Sequence, residues 1–417
     1  MKPVFLSLGS NYSFSFASLA LQQLIRPDSL SLSQLANQVA LRFGTQPVFY
    51  YKGRDAIEQL LRSVQRKHRQ PLTVFTQALS CYAIEEAVKR MGGQTVYVDL
   101  GPKQLNLTAK TLEDAFRRVN RPTHGVVIVQ HSLGFPADIK SIQTWAHQRS
   151  FFLIEDLAQS FGAMVSDGIE VGMNADGIVS SFGKDKIIDA VSGGMAGIRQ
   201  NAKAAQLSQP KPDVSNGIIV KDLTYPLLTW AIRKTHWFGL GKVLFRLGKL
   251  GGWLSSPILS PTQQSTGLPL EYGSLALQSY QQLEQQLSHR RQVAHLYFAR
   301  LEPWMWPLGV SESVLAKAAC LRYPLLVPDV SDFVAYLRKH NVFASDRWYR
   351  APVDTGSFVL PTVYESGQCP RAEFISKHLC NLPTHQTVSM QQAEQLSALV
   401  HTYLQQPAVA LWYSKLQ

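Results

Sequence analysis

The sequence predicts an α/β protein with a doubly wound, mostly parallel sheet, followed by a smaller C-terminal α+β domain. Short apolar runs alternate with amphipathic helical segments over residues 47–199, which is the pattern of successive βαβ units. The runs are continuously apolar, as in strands that are buried on both faces. The chain has 417 residues, of which 45% are hydrophobic, and is long enough for two domains. We predict a large domain at 1–200, a basic apolar insertion at 201–270 and a small domain at 271–417.

The elements of the large domain follow from these runs in order. A helical segment precedes the first strand, and each later strand is joined to the next by one helix. The predicted elements are a helical segment at Leu21–Phe43, a strand at Pro47–Tyr51, a helix from Gly53 to Val64, a strand–helix–strand unit at Leu72–Leu100, a helix at Leu107–Val119, a strand at Gly125–Gln130, a helix at Ile139–Gln148, and strands at Phe151–Ile154 and Gly177–Val179.

The C-terminal domain has fewer and more mixed elements. They are a long polar helix at Tyr272–Leu301, a strand at Arg322–Val327, a helix at Val330–His340, a strand at Val342–Ala344 and a last helix at Gln391–Tyr403.

Polar residues with complementary chemistry follow two of the predicted strands. The Phe151 strand ends in Glu155-Asp156, and the Gly177 strand leads to Ser181 and two lysines, Lys184 and Lys186. Strand ends of an open α/β sheet face the ligand crevice. A carboxylate, a hydroxyl and a lysine suit pyridoxal phosphate, because the lysine forms a Schiff base, the carboxylate pairs with the ring nitrogen and the hydroxyl binds phosphate. Each residue alone is more often a cap or a solvated charge, so the inference depends on their order and spacing.

An anion site is predicted at the turn that precedes the first sheet helix. Gly53 and Arg54 open this helix, and a helix N-terminus attracts phosphate through its backbone amides and dipole. The equally weighted alternative is a plain glycine turn followed by a surface arginine.

These motifs resemble the DegT/DnrJ/StrS-type aminotransferases, which are fold type I pyridoxal-phosphate enzymes. The family pattern E-D-A-A-Q-x-x-G-A corresponds here to 155–163, and S-F-x-x-x-K followed by G-G corresponds to 181–186 and 193–194. The resemblance implies that Asp156 is the partner of the pyridine nitrogen, that Gln159 lies against the ring and that Ser181 binds the phosphate. It implies Lys186 as the Schiff-base lysine, with Lys184 as the rival three residues after Ser181.

The sequence departs from the family pattern at three positions. Arg54 stands where the family has a threonine near the cofactor phosphate. Cys81 stands where an aromatic residue stacks on the ring, so Tyr82 must turn in or the stack is missing. Ser192 replaces the glutamate of the family's G-E-G-G. These changes motivate the alternative of a non-catalytic, membrane-associated binding or regulatory protein that has kept the fold.

The resemblance also implies an activity. It is the transfer of an amino group from an amino acid, expected to be L-glutamate, to a keto-sugar nucleotide in a homodimer. His131 begins a turn similar to one beside the family's active site, and Arg347 lies where the small domain approaches the substrate, although both also suit structural roles. A related sugar dehydratase is disfavoured by Lys186, because those enzymes generally carry histidine there.

Residues 223–270 form the most unusual segment. They contain no acidic residue, while Lys242, Arg246 and Lys249 share one helical face and leucines lie opposite. Trp230, Trp237 and Trp253 add amphipathic rings within residues 223–256, the part of this segment that is most like a membrane-surface element. We predict peripheral membrane contact through this segment. A subunit interface and an active-site mouth remain alternatives, because several glycines weaken the helix.

Composition sets further limits. The formal charge of +12 indicates an anionic ligand or surface, but no nucleic-acid-binding module is recognisable. The four cysteines lack C-x-x-C spacing, which disfavours zinc and a disulfide framework. The N-terminal residues make a poor signal peptide, and no long apolar run follows. The cysteine spacing leads us to expect no metal site. The absence of a signal peptide and of a long apolar run leads us to expect a cytoplasmic protein that contacts at most the inner face of the membrane.

Overall fold

The computed structural model describes residues 2–68, 71–166, 168–254, 264–344, 348–356 and 358–416. Helices and strands alternate through the first half of the chain. The strands are β1 (Val4–Phe5), β2 (Pro47–Tyr50), β3 (Thr73–Gln77), β4 (Gln94–Val98), β5 (Gly125–Val129), β6 (Phe152–Asp156), β7 (Met164–Ser166), β8 (Ile169–Glu170), β9 (Gly177–Ser181), β10 (Gly194–Ile198), β11 (Arg322–Leu326), β12 (Val342–Phe343) and β13 (Leu379–Pro383). The helices are α1 (Phe14–Ile25), α2 (Ser31–Phe43), α3 (Gly53–His68), α4 (Ala83–Arg90), α5 (Ala109–Arg118), α6 (Ile139–Gln148), α7 (Asn216–Thr235), α8 (Leu240–Leu250), α9 (Gly273–Gln281), α10 (Leu283–Leu301), α11 (Glu312–Lys317), α12 (Val330–Lys339), α13 (Pro370–His378), α14 (Met390–Leu404) and α15 (Pro407–Ser414).

The central sheet confirms the predicted α/β fold. Among the described residues it has seven strands in the order β2-β10-β9-β6-β5-β3-β4. The strands from β9 to β4 are parallel, whereas β10 runs antiparallel to both of its neighbours. Strand β10 was not expected from the sequence, because its Gly-Met-Ala-Gly-Ile stretch lacks the continuous apolar run that is typical of the other strands.

Helices cover both faces of the sheet. In β5, Val127 and Val129 belong to one apolar core, which also contains Trp145 of α6. Val126 and Ile128 point to the opposite core, which α3 and α4 cover. Because successive strand residues point to opposite faces, this double burial explains why the strand sequences are apolar throughout.

A third apolar core lies in the C-terminal part of the chain. It is built around the antiparallel pair of β11 and β13 and the helices α10, α12 and α14. The N-terminal strand β1 joins this part by pairing with β12 in parallel. This arrangement supports our proposed small domain at 271–417, and it adds the first residues of the chain to it.

The basic segment contains two helices, α7 and α8, which pack against each other. Helix α7 also packs against α1. Within the described ranges, no helix combines the length and the apolar character that crossing a bilayer requires. Residues 255–263 lie outside those ranges.

Candidate active site

Strand pairing brings the predicted site residues to one edge of the sheet. Gly194 of β10 pairs with Ser181 at the end of β9 and with Tyr50 at the end of β2. On the other side of β9, Asp156 at the end of β6 pairs with Val179. The chain after Tyr50 enters helix α3 at Gly53, so this helix begins beside Ser181.

A cavity of about 230 Å³ opens at this edge. Most of the residues predicted from the sequence to bind the cofactor line it, and they come from β6 and the turn after it, β9 and the loop after it, and the start of α3. They are Gly53, Arg54, Asp156, Gln159, Ser181, Lys184 and Lys186.

The two candidate lysines have different surroundings. The Lys186 ammonium group lies 4.3 Å from the centre of the Trp348 ring. The Lys184 ammonium group faces helix α7, where it lies 4.0 Å from a carboxylate oxygen of Asp222 and 3.9 Å from the centre of the Tyr225 ring. Lys184 is thus held by α7, whereas Lys186 lies within electrostatic reach of Asp156, whose pKa its charge lowers.

The Asp156 carboxyl group is largely removed from water. Burial raises its pKa, and a hydrogen bond from the Ala158 amide and the charge of Lys186 oppose this effect more weakly. The Ala158 bond measures 3.0 Å. A carboxylate in this environment is stabilised by a cation, which is the role expected of a protonated ring nitrogen.

A buried network fixes the loop that carries Lys186. The Asn11 side-chain amide donates to the Lys186 carbonyl and to the Asp189 carboxylate, both at 3.0 Å. Asp189 also accepts from the Tyr12 hydroxyl and from the backbone amides of Asp185 and Val191. Neither Asn11 nor Asp189 was predicted from the sequence, because 178 residues separate them and no local pattern connects them.

Gln159 is held on both sides of its amide. Its oxygen accepts from the Leu133 backbone amide at 2.7 Å, and its nitrogen donates to the Tyr349 hydroxyl. Trp348 and Tyr349 line the cavity but carried no role in the sequence prediction. The sequence feature that could have identified them is their position directly after Arg347, in the segment that was predicted to approach the substrate.

The start of α3 forms a narrow cradle with Ser181. A β-carbon on Gly53 would lie 2.6 Å from the Ser181 β-carbon, so only glycine fits there. Helix N-terminal amides and a hydroxyl are suitable ligands for a phosphate. Arg54 is buried beside them and forms an ion pair with Glu86, so its charge is already matched by a carboxylate.

Lys52 is a cavity residue that sequence reasoning did not consider. Its ammonium group donates to the Ser192 hydroxyl at 2.8 Å and lies 4.2 Å from the centre of the Tyr51 ring. Burial lowers its pKa to about 8; Lys184 and Arg54 act in the same direction, and Asp222 and Asp55 oppose them. Two of the positions that depart from the family pattern, 54 and 192, thus interact with the Lys52 ammonium group.

We expect the cofactor-free Lys52→Met protein to be more stable than the wild type near pH 7, by roughly 1–3 kcal/mol. The folded pKa of about 8 is below the ordinary 10.5, so the cost of burying the charge is complete below pH 8. That cost is relieved as the pH rises from about 8 to 10.5, and the stability difference should shrink over this range. Denaturant unfolding at several pH values measures it. The control is Lys110→Met, which replaces an exposed lysine. If the difference in unfolding free energy between Lys52→Met and the wild type does not change with pH, the interpretation is contradicted.

Two predicted residues, Tyr82 and His131, lie outside the cavity lining. Tyr82 is buried outside the cavity lining, whereas Cys81 is part of that lining. His131 is fully buried and does not line the cavity; its Nε2 lies 2.9 Å from a Glu155 oxygen, and its Nδ1 accepts from the Ala137 amide. Arg347 lies outside the described residues, so its predicted substrate contact stays a prediction.

Pyridoxal phosphate fits this donor set. A desolvated carboxylate, a lysine amine, a side-chain amide and a helix N-terminus with a hydroxyl converge on one cavity. A doubly wound sheet with this constellation at its strand ends defines a pyridoxal-phosphate-dependent transferase of fold type I.

The chain belongs to the DegT/DnrJ/EryC1/StrS aminotransferase family, because the model of this family matches residues 50–209 and 273–401. GDP-perosamine synthase from Escherichia coli O157:H7 is 30% identical over 122 residues, which cover 29% of this chain and 32% of that protein. The chain thus spans about a third of the length of this curated relative.

Solved structures share the fold over nearly the whole chain. A DegT DnrJ EryC1 StrS aminotransferase from Brucella abortus has a TM-score of 0.66 at 18% identity, covering 93% of this chain and 95% of that one. NtdA from Bacillus subtilis, which was solved with bound cofactor PMP, has a TM-score of 0.67 at 18% identity and coverages of 96% and 84%. The family and fold expected from the sequence are therefore confirmed.

Proposed function

We propose that this protein is an aminotransferase that moves an amino group from L-glutamate to a keto-sugar nucleotide, with pyridoxal phosphate as its cofactor. The observation that carries the proposal is the convergence of Lys186 and Asp156 on one cavity beside the start of α3. The family membership supports the reaction class. GDP-perosamine synthase, by its name, acts on a nucleotide-linked sugar, which supports the acceptor class.

Each cavity residue has a defined task in this proposal. Asp156 holds the ring nitrogen, Gln159 lies at the ring, and Ser181 with the amides at Gly53 and Arg54 holds the phosphate. When bound, the cofactor supplies an aldehyde and an electron sink for the electron pair released at the substrate carbon.

Lys186 holds the cofactor between turnovers and afterwards moves the proton. Its amine would hold the cofactor at the aldehyde, and the same amine, when free, would accept a proton at one carbon and donate it at another. Trp348 packs against this amine and shields that side of it from water. Asn11 fixes the loop backbone at Lys186, which limits the positions that the amine can reach.

We further propose that the protein acts as a homodimer, as the family resemblance implies. Arg350 lines the cavity, and its Nε lies 3.5 Å from a carboxylate oxygen of Asp354. In addition to the predicted Arg347, it is a candidate contact for an anionic substrate group. His131 is not proposed as a substrate contact, because it is fully buried away from the cavity lining.

A spectrophotometric titration tests the donor half of the reaction. We expect the cofactor-loaded protein to show a visible absorption band that L-glutamate converts to the band of the amine form. Adding 2-oxoglutarate should reverse the change. If the band is present but insensitive to glutamate, the proposed donor is wrong. If the loaded protein has no such band, the non-catalytic binding protein is favoured instead.

A further inference from the structure

Helix α8 presents an apolar face to solvent. Leu240, Val243, Leu247 and Leu250 recur every three or four residues and therefore share one side of the helix. All of them are exposed, with Leu250 at 85%. The turn before the helix extends this face with Trp237 and Phe238, and Phe238 is 83% exposed. We call these residues, 237, 238, 240, 243, 247 and 250, the α8 apolar face.

The packing of α8 explains why its leucines are outside. The helix contacts α7 through Gly241 and Gly248, which are its buried residues. A β-carbon on Gly241 would lie 2.3 Å from the Ile232 carbonyl oxygen of α7, so this side accepts only glycine. A rotation of the helix that buried the leucines would drive side chains into the α7 backbone. The exposure of the α8 apolar face therefore follows from the close packing of α8 against α7.

The neighbouring side of α8 is basic. Lys242, Arg246 and Lys249 are all exposed there. Lys234 at the end of α7 is also exposed, and the sequence has no acidic residue between Asp222 and Glu271. An occupant of this surface must therefore offer apolar groups and negative charge side by side.

We propose that α8 docks the protein on an anionic lipid bilayer, with the α8 apolar face among the acyl chains and the three basic residues at the phosphates. A bilayer with acidic headgroups supplies both kinds of group in one plane. A second copy of the chain fits less well. Two copies meeting at this face would bring two basic surfaces together, and residues 223–270 offer no acidic side chain to pair with them.

The test is flotation of the full-length protein with vesicles. Vesicles of equal parts phosphatidylglycerol and phosphatidylcholine should bind it, and pure phosphatidylcholine vesicles should bind it much less. The charge reversal K242E/R246E/K249E should weaken binding about a hundredfold, at roughly one kcal/mol per basic residue. The apolar variant V243S/L247S/L250S should also lose binding.

A matched control separates this surface from overall charge. The variant K110E/K140E/K339E changes the net charge equally at exposed lysines on α5, α6 and α12. It should keep nearly all of the binding. The proposal would be overturned if the two charge-reversal variants lost vesicle binding equally, or if the wild-type protein did not bind the vesicles. It would also be overturned by a variant of the α8 apolar face that changes the oligomeric state in sedimentation velocity, because that result would assign the face to a second copy.

Discussion

Replacing Lys186 by alanine is expected to abolish both the visible cofactor band and amino transfer. The variant loses the amine that links to the cofactor and the group that moves the proton. A positioned acid–base group alone contributes about 10²–10⁴-fold, so the rate should fall by at least that factor. The fold should persist, because the loop is held by Asn11 and Asp189 through the Lys186 carbonyl and neighbouring amides, and not through the Lys186 side chain.

Lys184→Ala is the matched control, since it removes a second cavity lysine two residues away. Its ammonium group interacts with Asp222 and Tyr225 of α7, so its loss should leave the visible band in place. We expect a decrease in rate of less than about tenfold, the scale of losing one partly buried charge contact. If Lys184→Ala abolishes the band and Lys186→Ala retains it, the linkage belongs to Lys184 and the assignment is wrong.

The second large effect is expected from Asp156→Asn. The amide is nearly isosteric with the carboxylate but carries no charge to keep the ring nitrogen protonated. Losing such a preorganised electrostatic partner costs about 10²–10³-fold in rate. The rate of amino transfer should decrease. The affinity for the cofactor, measured by dialysis, should decrease as well. The exposed Asp114→Asn serves as the control and should leave both unchanged.

The same substitution should not destabilise the cofactor-free protein. Burial raises the pKa of Asp156, so the folded state carries a penalty that is absent below the ordinary carboxyl pKa. This penalty grows as the pH rises and is complete above the raised pKa. Near pH 7 the asparagine variant should therefore unfold at the same or a higher denaturant concentration than the wild type. A clear loss of stability would show that Asp156 is a structural residue.

The sequence alone predicted the strands of the central sheet other than β10, because strands buried on both faces must be apolar at every position. Runs such as Val126 to Val129 therefore revealed the β5 strand, and the family motif placed Asp156 and Ser181 at strand ends. The predicted helices at Ile139–Gln148 and Val330–His340 agree with α6 and α12 within one residue. Strand β10 was not predicted, because glycines interrupt its apolar pattern and one of its pairing partners, β2, lies far away in the chain.

Only the tertiary structure decided which polar residues share a space. Sequence spacing could not distinguish Lys184 from Lys186 by their neighbours, because Asp222, Tyr225 and Trp348 reach the loop from distant elements. It could not exclude Tyr82 or His131 from the cavity lining, because which way a side chain points depends on the packing around it. The helical pattern of 240–250 likewise gave an amphipathic helix but not its orientation. That orientation depends on the fit of Gly241 against α7, which is a contact between two helices and is not encoded by the period of either one.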